Sequence, residues 1–596
     1  VMFLFGVAKY LFSALSLAVV LSMLASYVVA MTVIPVFCAR FLRPGDVAEG
    51  EDGETHGGFA WFSRPYERFA ARYERLLRAA LDRKGMVVGA LAILFAVAML
   101  GYPLLGTELF PRTDAGQFVI NLRMPTGTRI EVTEKLAEQV ERVIRETIPS
   151  SDLERIVSNL GLAPGFSAIY SPNAASDSGF VMVSLKPGHT RSTWDAMRDL
   201  RAALARELPQ VQAFFQSGSI IDAVLNFGLA APIDVQLSGP DYHELHALAQ
   251  QVATKLRGHA RVADVFVPQE SGYPTLAIKV DRVKAARLGL SQRDVVSNVI
   301  TALTSNQMIA PSIWIDPKNG NDYFLTVQYP EDAIRSTDTL LDIPVRGSRA
   351  TDEHGDAILL RNVATVERTT APAEADHYDI QRVVDVLVAP RGDDVGGTQD
   401  AIRKALADLE LPKGVQIAYR GSASAMEESF ASFGFGLAMA MVLLYLVMVA
   451  QFRSFLDPFI IMFSVPMGLI GVVATLLATG TTLNIESFMG TIVMVGIVVS
   501  NSILLVDFAN QRRREGRPLR QAVVEASRIR MRPILMTALA TVVGLLPIAL
   551  ELGEGSEASA PLARAAVGGL AVSTVLTLIL VPALYELVYA RRHTEA

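Results

Sequence analysis

The stretch 488–508, FMGTIVMVGIVVSNSILLVDF, is long and apolar enough to cross a bilayer as one helix, yet it contains Ser500, Asn501 and Asp507. Polar and ionisable groups are costly in hydrocarbon, so they usually face a helix bundle or a hydrated path and suggest proton or ion handling. At about 3.6 residues per turn, Ser500 and Asp507 lie roughly 20° apart around the helix axis. One face is therefore polar. The alternative is that Asp507 ends the helix at the cytoplasmic headgroups and the other two only hold helices together.

The composition suits a protein that is partly embedded in a membrane. The 596 residues are 51% hydrophobic and 19% charged, enough for several domains. A net charge of -6 gives no global basic surface, which argues against nucleic-acid binding. Cys38 is the single cysteine, so the chain has no internal disulfide and no cysteine-based zinc cluster. His243 and His246 share a predicted helix face beside Asp241 and could ligate a metal, but spacing assigns no further ligand, which favours a solvated face.

Seven segments are apolar enough to be membrane spans. They are 11–37, 86–105, 430–449, 458–479, 488–508, 533–552 and 565–587. Lysine and arginine cluster at 40–84, 512–532 and 591–592, and the positive-inside rule puts these clusters in the cytoplasm. The long region 106–429 then lies outside the cytoplasm, and all loops agree with this orientation.

The segment 59–84 alternates aromatic and aliphatic positions with arginines at helical spacing. This pattern predicts an amphipathic helix lying in the membrane interface. The alternative is a soluble helix packed on a domain.

The region 106–429 has the patterns of mixed strands and helices. The first set predicts elements at 117–124, 132–146, 180–186 and 193–207, and the second at 233–237, 242–257, 262–267, 275–280, 383–388, 398–409 and 415–419. Two ferredoxin-like units of the split βαβ type account for this order, the second interrupted by an insertion over 281–372. The insertion has its own helix, opened by a capping sequence from Ser291 to Asp294. The predicted fold class is thus a membrane α-helical bundle of seven transmembrane helices plus α+β domains in one large extracytoplasmic loop.

An internal repeat suggests a second copy of the bundle. AMTVIPVFCARF at 30–41 resembles TLILVPALYELV at 577–588, with Pro35 set against Pro582. Transporters are commonly built from such repeats. We therefore expect the first helix to be the last helix of a preceding half that this sequence does not include.

Five longer motifs resemble those of the resistance-nodulation-division (RND) efflux permeases over nearly the whole chain. They are GTELFPRTDAGQFVINLRMPTGT, DRVKAARLGLSQRDV, AQFRSFLDPFIIMFSVPMGLIG, GIVVSNSILLVDFA and RMRPILMTALATVVGLLPIAL. The resemblance implies a homotrimeric, multi-pass pump of the bacterial inner membrane, with its large loop in the periplasm, driven by H+ influx and without a cofactor. It also implies contact with membrane lipid and, as partners, a periplasmic adaptor protein and an outer-membrane channel.

The resemblance also implies a proton relay. By position, the relay residues of the family fall on Ser500, Asn501, Arg530 and Thr537, and the polar span adds Asp507. Close drug-exporting relatives have a lysine where this chain has Ser500. A lysine would pair with aspartates that belong to the expected other half, whereas a serine can only hydrogen-bond or hold water. Arg530 is equally well explained as a positive-inside anchor at a helix start.

Substrate contacts are expected in the periplasmic region. The loop 161–179 matches the flexible gate loop of the family, and Phe166, Tyr170, Phe214 and Phe215 could offer apolar contacts to amphiphilic molecules. Core packing explains the Phe pair at least as well. Metal-exporting relatives would need methionine or acidic ligands, for which Met124, Met182 and Met308 are candidates by residue type only.

The resemblance divides the chain into eight parts. These are 1–45, the last transmembrane helix of a first half; 46–84, a cytoplasmic linker and interfacial helix; 85–106, a transmembrane helix; 107–215, porter subdomain 1; 216–280 and 373–427, porter subdomain 2; 281–372, a docking subdomain; and 428–596, five transmembrane helices.

Three functions remain open. The first is proton-driven export of organic amphiphiles, which the thin supply of His, Cys and clustered Met favours. The second is heavy-metal cation export by the same architecture, and the third is a non-exporting translocation-type protein or an inactive truncated copy. An enzyme is not expected, because the sequence has no set of nucleophile, base and orienting group and no phosphate-binding loop.

Overall fold

The computed structural model describes residues 6–41, 60–161, 173, 175–347, 358–553 and 555–594. Its contacts divide the chain into two compact units. Unit 1 comprises Val1–Asp114, Pro390–Lys404 and Arg420–Ala596, and unit 2 comprises Ala115–Ala389 and Ala405–Tyr419.

The described residues form seventeen α-helices and fifteen strands. The helices are α1 Gly6–Phe41, α2 Ala60–Asp82, α3 Lys84–Leu100, α4 Ile130–Thr147, α5 Thr193–Glu207, α6 Ile220–Leu225, α7 Tyr242–Leu256, α8 Arg282–Arg287, α9 Gln292–Thr304, α10 Thr337–Leu341, α11 Val395–Leu406, α12 Ser422–Phe452, α13 Leu456–Met462, α14 Ser464–Thr479, α15 Ile485–Arg514, α16 Leu519–Ala549 and α17 Ala560–Thr594. The strands are β1 Gln117–Arg123, β2 Leu153–Leu160, β3 Ser178–Leu185, β4 Gln212–Ser217, β5 Ile233–Gly239, β6 Val262–Phe266, β7 Tyr273–Val280, β8 Ile313–Ile315, β9 Asp322–Phe324, β10 Pro344–Val345, β11 Ile358–Leu359, β12 Ala364–Ala371, β13 Asp376–Tyr378, β14 Gln381–Pro390 and β15 Gln416–Arg420.

Seven helical segments in the described chain have the length and hydropathy of membrane spans, as predicted. They are Ser16–Phe41, Lys84–Leu104, Ser422–Phe452, Leu456–Thr479, Ile485–Arg514, Leu519–Ala549 and Ala560–Ala590. Several begin or end well outside the apolar stretches, because the helices continue through polar residues at both ends. The fourth span consists of α13 and α14, which meet at Phe463.

Small residues bring α17 close to its neighbours in unit 1. The stripe of Ala565, Gly569, Ser573 and Thr577 is buried, as its spacing predicts. A Cβ added to Gly569 would lie 2.8 Å from Cγ of Met494 on α15 and 2.9 Å from a methyl of α14. Small side chains therefore allow these helix axes to approach closely, as is usual in membrane bundles.

Helix α2 packs against the bundle by its apolar face. Ala70, Tyr73, Leu77 and Leu81 are buried, and the hydroxyl of Tyr73 donates to a backbone carbonyl of α17 at 2.8 Å. Other apolar positions of this helix, such as Phe69, stay exposed. The predicted amphipathic helix is thus present, and its buried side packs on the membrane helices of unit 1. Its position in the membrane interface stays a prediction.

Unit 2 contains two sheets of the same strand order. The first is β2-β3-β1-β4, with all neighbours antiparallel, and the second has β14 between β5 and β6, with β15 beyond β5. Both are the ferredoxin-like order that the split βαβ pattern predicts. The sequence patterns missed β2 and β4, because the polar side chains on β2 and the adjacent phenylalanines of β4 obscure the alternation.

One predicted strand belongs elsewhere. The stretch 275–280 was expected to complete the second unit, but β7 pairs with β12 over eight residues in a separate two-stranded ribbon. The insertion follows β7 and returns along β12. It includes a capping box at Ser291 and Asp294, as predicted, and a core that contains Val295, Val299 and Leu360.

Candidate functional site

Helix α15 carries the polar residues of the candidate site and is fixed at both ends. At its start, Asn484 accepts the backbone N–H of Ser487 at 2.9 Å, and the Ser487 hydroxyl accepts the N–H of Asn484 in return. Its last turn contains Arg512, Arg513 and Arg514, whose positive charges interact favourably with the negative end of the helix dipole. The polar side chains are therefore held on a helix whose ends are both stabilised.

Asn501 faces the neighbouring helix α16. Its side chain is buried, and its Oδ1 lies 3.4 Å from the hydroxyl of Thr537. That hydroxyl also lies 3.0 Å and 3.2 Å from two carbonyls of its own helix. Because a hydroxyl has one proton to donate, Thr537 can switch between Asn501 and its backbone. The structure thus brings together two of the five predicted relay residues.

Ser500 and Asp507 face away from α16. Both are exposed in this chain, on the same side of α15 as Gly496, and Ser500 donates to the carbonyl of Ile497 at 2.9 Å. Asp507 makes no hydrogen bond or ion pair with the described residues. The shared polar face that the spacing predicts is therefore present, but it is separate from the side that holds Asn501.

Arg530 stacks on an aromatic ring at the arginine-rich end of α15. Its guanidinium lies 4.8 Å from the ring centre of Phe508, and that of Arg512 lies 5.0 Å from the same ring. The Nε atoms of both arginines are buried without a hydrogen-bond partner. This position among the basic residues fits the anchor interpretation, and the Arg530 side chain lies against Phe508 rather than in the contact of Asn501 with Thr537.

The predicted substrate residues do not form a surface in the described chain. Phe214 is buried and stacks on Phe266 at 5.6 Å, and Phe215 is buried with its ring 4.6 Å from the guanidinium of Arg201. Both therefore contribute to the core, as the alternative predicted. Phe166 and Tyr170 lie outside the described residues.

The histidine pair on α7 has local partners. Asp241 caps the helix by accepting the N–H of His243 at 2.8 Å. His246 Nδ1 lies 2.9 Å from the hydroxyl of Ser271, and burial lowers the pKa of His246. The described residues contain no group of three or more His, Cys, Asp or Glu placed to hold a metal ion.

Comparison with known proteins agrees with the motifs and the spans. The sequence profile of the AcrB/AcrD/AcrF family matches residues 1–589. The chain belongs to the AcrB/AcrD/AcrF family. This match confirms the predicted resemblance to RND permeases and an inner-membrane location with periplasmic domains.

Two relatives are each 27% identical to this chain over 98% of its length, which covers 54% of theirs. They are the cobalt-zinc-cadmium resistance protein CzcA of Cupriavidus metallidurans and the protein HelA of Legionella pneumophila. A crystal structure of a heavy metal efflux pump matches with a TM-score of 0.75 and 26% identity, covering 88% of this chain and 53% of that one. The chain thus spans about half the length of the relatives it matches.

This AcrB/AcrD/AcrF-family chain also contains a buried polar cluster that sequence reasoning missed. Asp457 accepts the hydroxyl of Tyr589 at 2.7 Å and the amide of Asn510 at 3.1 Å. Tyr585 donates to Asn510 at 2.5 Å and accepts from Arg513 at 2.9 Å. An acid inside the apolar motif 450–471 was the available signal. The cluster ties α13, α15 and α17 together at the ends that topology places toward the cytoplasm.

Proposed function

We propose that the chain is the C-terminal half of the permease subunit of a proton-driven envelope efflux pump. The observation that carries this proposal is the buried contact between Asn501 and Thr537 inside a seven-span chain of the AcrB/AcrD/AcrF family. A buried amide and hydroxyl between two membrane helices can hold water or pass a proton, whereas purely apolar helices cannot.

The relay would be completed by the other half of the permease. Gly496, Ser500 and Asp507 form an exposed face of α15, and exposed polar groups are costly when a helix meets lipid. We propose that the missing half packs on this face and supplies the aspartates, while Asn501, Thr537 and Arg530 contribute from this half. Since Ser500 has no positive charge, proton binding on that face would depend on hydrogen bonds and water rather than on an ion pair.

Heavy-metal cations are the first candidate substrate class. The names of CzcA and of the matching crystal structure refer to cobalt, zinc and cadmium resistance and to heavy metal efflux. This support favours the alternative over the organic substrates that composition suggested.

Organic amphiphiles are the second candidate, favoured by one surface in unit 2. Helix α6 and the turn after it expose Ile220, Ile221, Val224 and Phe227, of which Ile220 is 78% exposed. Exposed apolar clusters of this kind commonly mark binding surfaces. The cluster follows β4 directly, so the core phenylalanines of β4 would position it rather than contact substrate.

The partners follow from the same proposal: a homotrimer, a periplasmic adaptor and an outer-membrane channel. The inserted docking subdomain, 281–372, has an exposed apolar hairpin, β8 and β9, that could contact a partner. Ile313, Trp314 and Phe324 on this hairpin are all more than half exposed. We also propose that residues 107–215 form the first porter subdomain and that residues 216–280 and 373–427 together form the second.

The test uses the full-length permease and its adaptor in cells that lack other pumps. Efflux of zinc, cadmium and cobalt salts and of dyes and detergents would be measured with and without a protonophore. We expect protonophore-sensitive efflux that Asn501→Ala removes. Ser502→Ala is the matched control, because Ser502 is a buried neighbour whose hydroxyl bonds only to its own helix at Val498.

The outcomes separate the candidates. Protection against metals alone supports the first substrate class, and protection against amphiphiles alone supports the second. Efflux by Asn501→Ala equal to that of the unmodified protein would contradict the relay, and no efflux of any compound would favour a non-exporting or inactive protein.

A further inference from the structure

Two short segments of unit 1 pair at the extracytoplasmic end of α15. One segment, which contains Gly106 and Glu108, follows the second span, and the other, which contains Leu483, precedes α15. The backbone N–H of Leu483 donates to the carbonyl of Gly106 at 2.8 Å. The N–H of Glu108 donates to the carbonyl of Leu483 at 3.1 Å. This pairing directs the side chain of Glu108 toward the start of α15.

The carboxyl group of Glu108 is almost completely enclosed. The residue is 5% exposed, and its Oε1 accepts from the hydroxyl of Thr482 and from the amide of Asn484 at 3.4 Å. Its Oε2 is buried and has no hydrogen-bond partner. Among the described residues no basic side chain forms an ion pair with it, and Arg112, which favours its charged form from a distance, pairs with Asp393. Because Asn484 is the N-cap of α15, this carboxyl group touches the first residue of the helix that carries Asn501.

The charged neighbours have partners of their own. Arg112 pairs with Asp393 at 3.2 Å, and Asp394 accepts the N–H groups of Thr107 and Gly397 at 2.9 Å each. Across the site, Arg564 of α17 donates to the hydroxyl of Thr481 and pairs with Glu551, and Glu486 lies in the first turn of α15.

An ionised Glu108 would therefore leave negative charge enclosed with one oxygen unpaired. A buried charge without a counter-ion is far more costly than a buried neutral group, so such groups commonly take up a proton instead. Burial raises the pKa of Glu108 to about 7, with Asp393 acting in the same direction, while the Thr482 hydrogen bond and Arg112 oppose the shift.

We propose that the Glu108 carboxyl group is a second proton-binding site, at the periplasmic start of α15 and separate from the contact between Asn501 and Thr537. Asn484, which the Glu108 carboxyl group touches, precedes Asn501 by 17 residues, or about 25 Å at 1.5 Å per residue of helix. Gain or loss of the proton changes the hydrogen bonds that Glu108 accepts from Thr482 and from Asn484, the N-cap of α15. The site itself follows from the enclosure of Glu108; its effect on transport rests on the proposed function.

The site is tested by infrared titration of the purified full-length permease. The difference between the unmodified protein and Glu108→Gln isolates the protonated carboxyl band of this residue from pH 5 to 9. We expect a band that disappears with a midpoint near pH 7. A Glu108 band already absent at pH 6 would overturn the proposal.

A second variant keeps the carboxyl group and removes one partner. Thr482→Val deletes a hydrogen bond that favours the charged form, so the midpoint should move to higher pH. A midpoint that stays unchanged or falls would also count against the site, even if Glu108→Gln does not fold.

Transport then tests the effect on α15. Efflux by both proteins should vary with external pH through the proton gradient, but between pH 6 and 8 the efflux rate of the unmodified pump should change more than that of Glu108→Gln. If both vary alike, the link from Glu108 to α15 is wrong. If the unmodified pump transports nothing, the proposed function fails while the titration result stands.

Discussion

The packing of α14 on α17 depends on two glycines that face each other, and Gly471→Ala tests it. A Cβ at Gly471 would lie 2.2 Å from the carbonyl oxygen of Gly568 and 2.8 Å from its carbonyl carbon. Gly568 is equally confined, since its own Cβ would lie 2.0 Å from the hydroxyl oxygen of Thr475. Because the obstacle for Gly471→Ala is helix backbone, no side-chain rotation can relieve it.

The expected magnitude follows from two opposing effects. Alanine is favoured over glycine in a helix interior by about 1 kcal/mol. Overpacking a well-filled interior costs about 1–3 kcal/mol, and backbone overlap belongs at the upper end. We therefore expect Gly471→Ala to lower the free energy of unfolding by about 1–2 kcal/mol. The matched control is Gly89→Ala on α3, which meets nothing within 4 Å and should be neutral or stabilising.

The assay is thermal unfolding of the detergent-purified permease, followed by loss of its monodisperse peak in size exclusion. A change of this size should lower the midpoint by a few °C for Gly471→Ala, at about 2–4 °C per kcal/mol for a large domain. Equal midpoints for the two variants would show that α14 and α17 do not approach as closely as described.

Three further predictions concern other contacts. Because the folded-state pKa of Glu108 is raised from 4.5 to about 7, the unmodified protein should lose about 2.5 kcal/mol of stability relative to Glu108→Gln as pH rises from 5 to 8, measured by melting at these two pH values. Tyr73→Phe removes the 2.8 Å hydrogen bond to α17 and should cost about 1 kcal/mol in thermal unfolding. Arg201→Lys breaks a bidentate ion pair with Asp264 at 2.7–2.9 Å and should lower the free energy of unfolding by about 1–3 kcal/mol in denaturant titration of the full-length permease. The control Arg198→Lys, at an exposed ion pair with Asp195, should lower it by less than about 1 kcal/mol.

The spans and the two ferredoxin-like units were predictable because each depends on a local pattern. A membrane helix needs only about 20 apolar residues, and α4, α5 and α7 keep the helical period of their buried positions. The pairing of β7 with β12 was not predictable, because the partners are separated by the whole insertion and no local signal distinguishes this ribbon from the porter sheet.

The candidate site was predictable only in part. The spacing of Ser500 and Asp507 correctly placed them on one face, because helix geometry alone decides it. That Asn501 points instead to Thr537 depends on which neighbour packs on α15, which one sequence does not show. The enclosure of Glu108 likewise depends on Thr482 and Asn484, which lie far from it in the chain.

The proposed coupling of efflux to protons depends on the contact of Asn501 with Thr537. The most direct measurement is proton flux in proteoliposomes that contain the full-length permease and a pH-sensitive dye, on addition of zinc, cadmium or cobalt ions or of an amphiphilic dye. We predict substrate-dependent proton flux that is retained in Ser502→Ala and lost in the Asn501→Ala, Thr537→Ala double variant. Equal flux in the double variant, or no flux with any substrate despite correct insertion, would contradict the account.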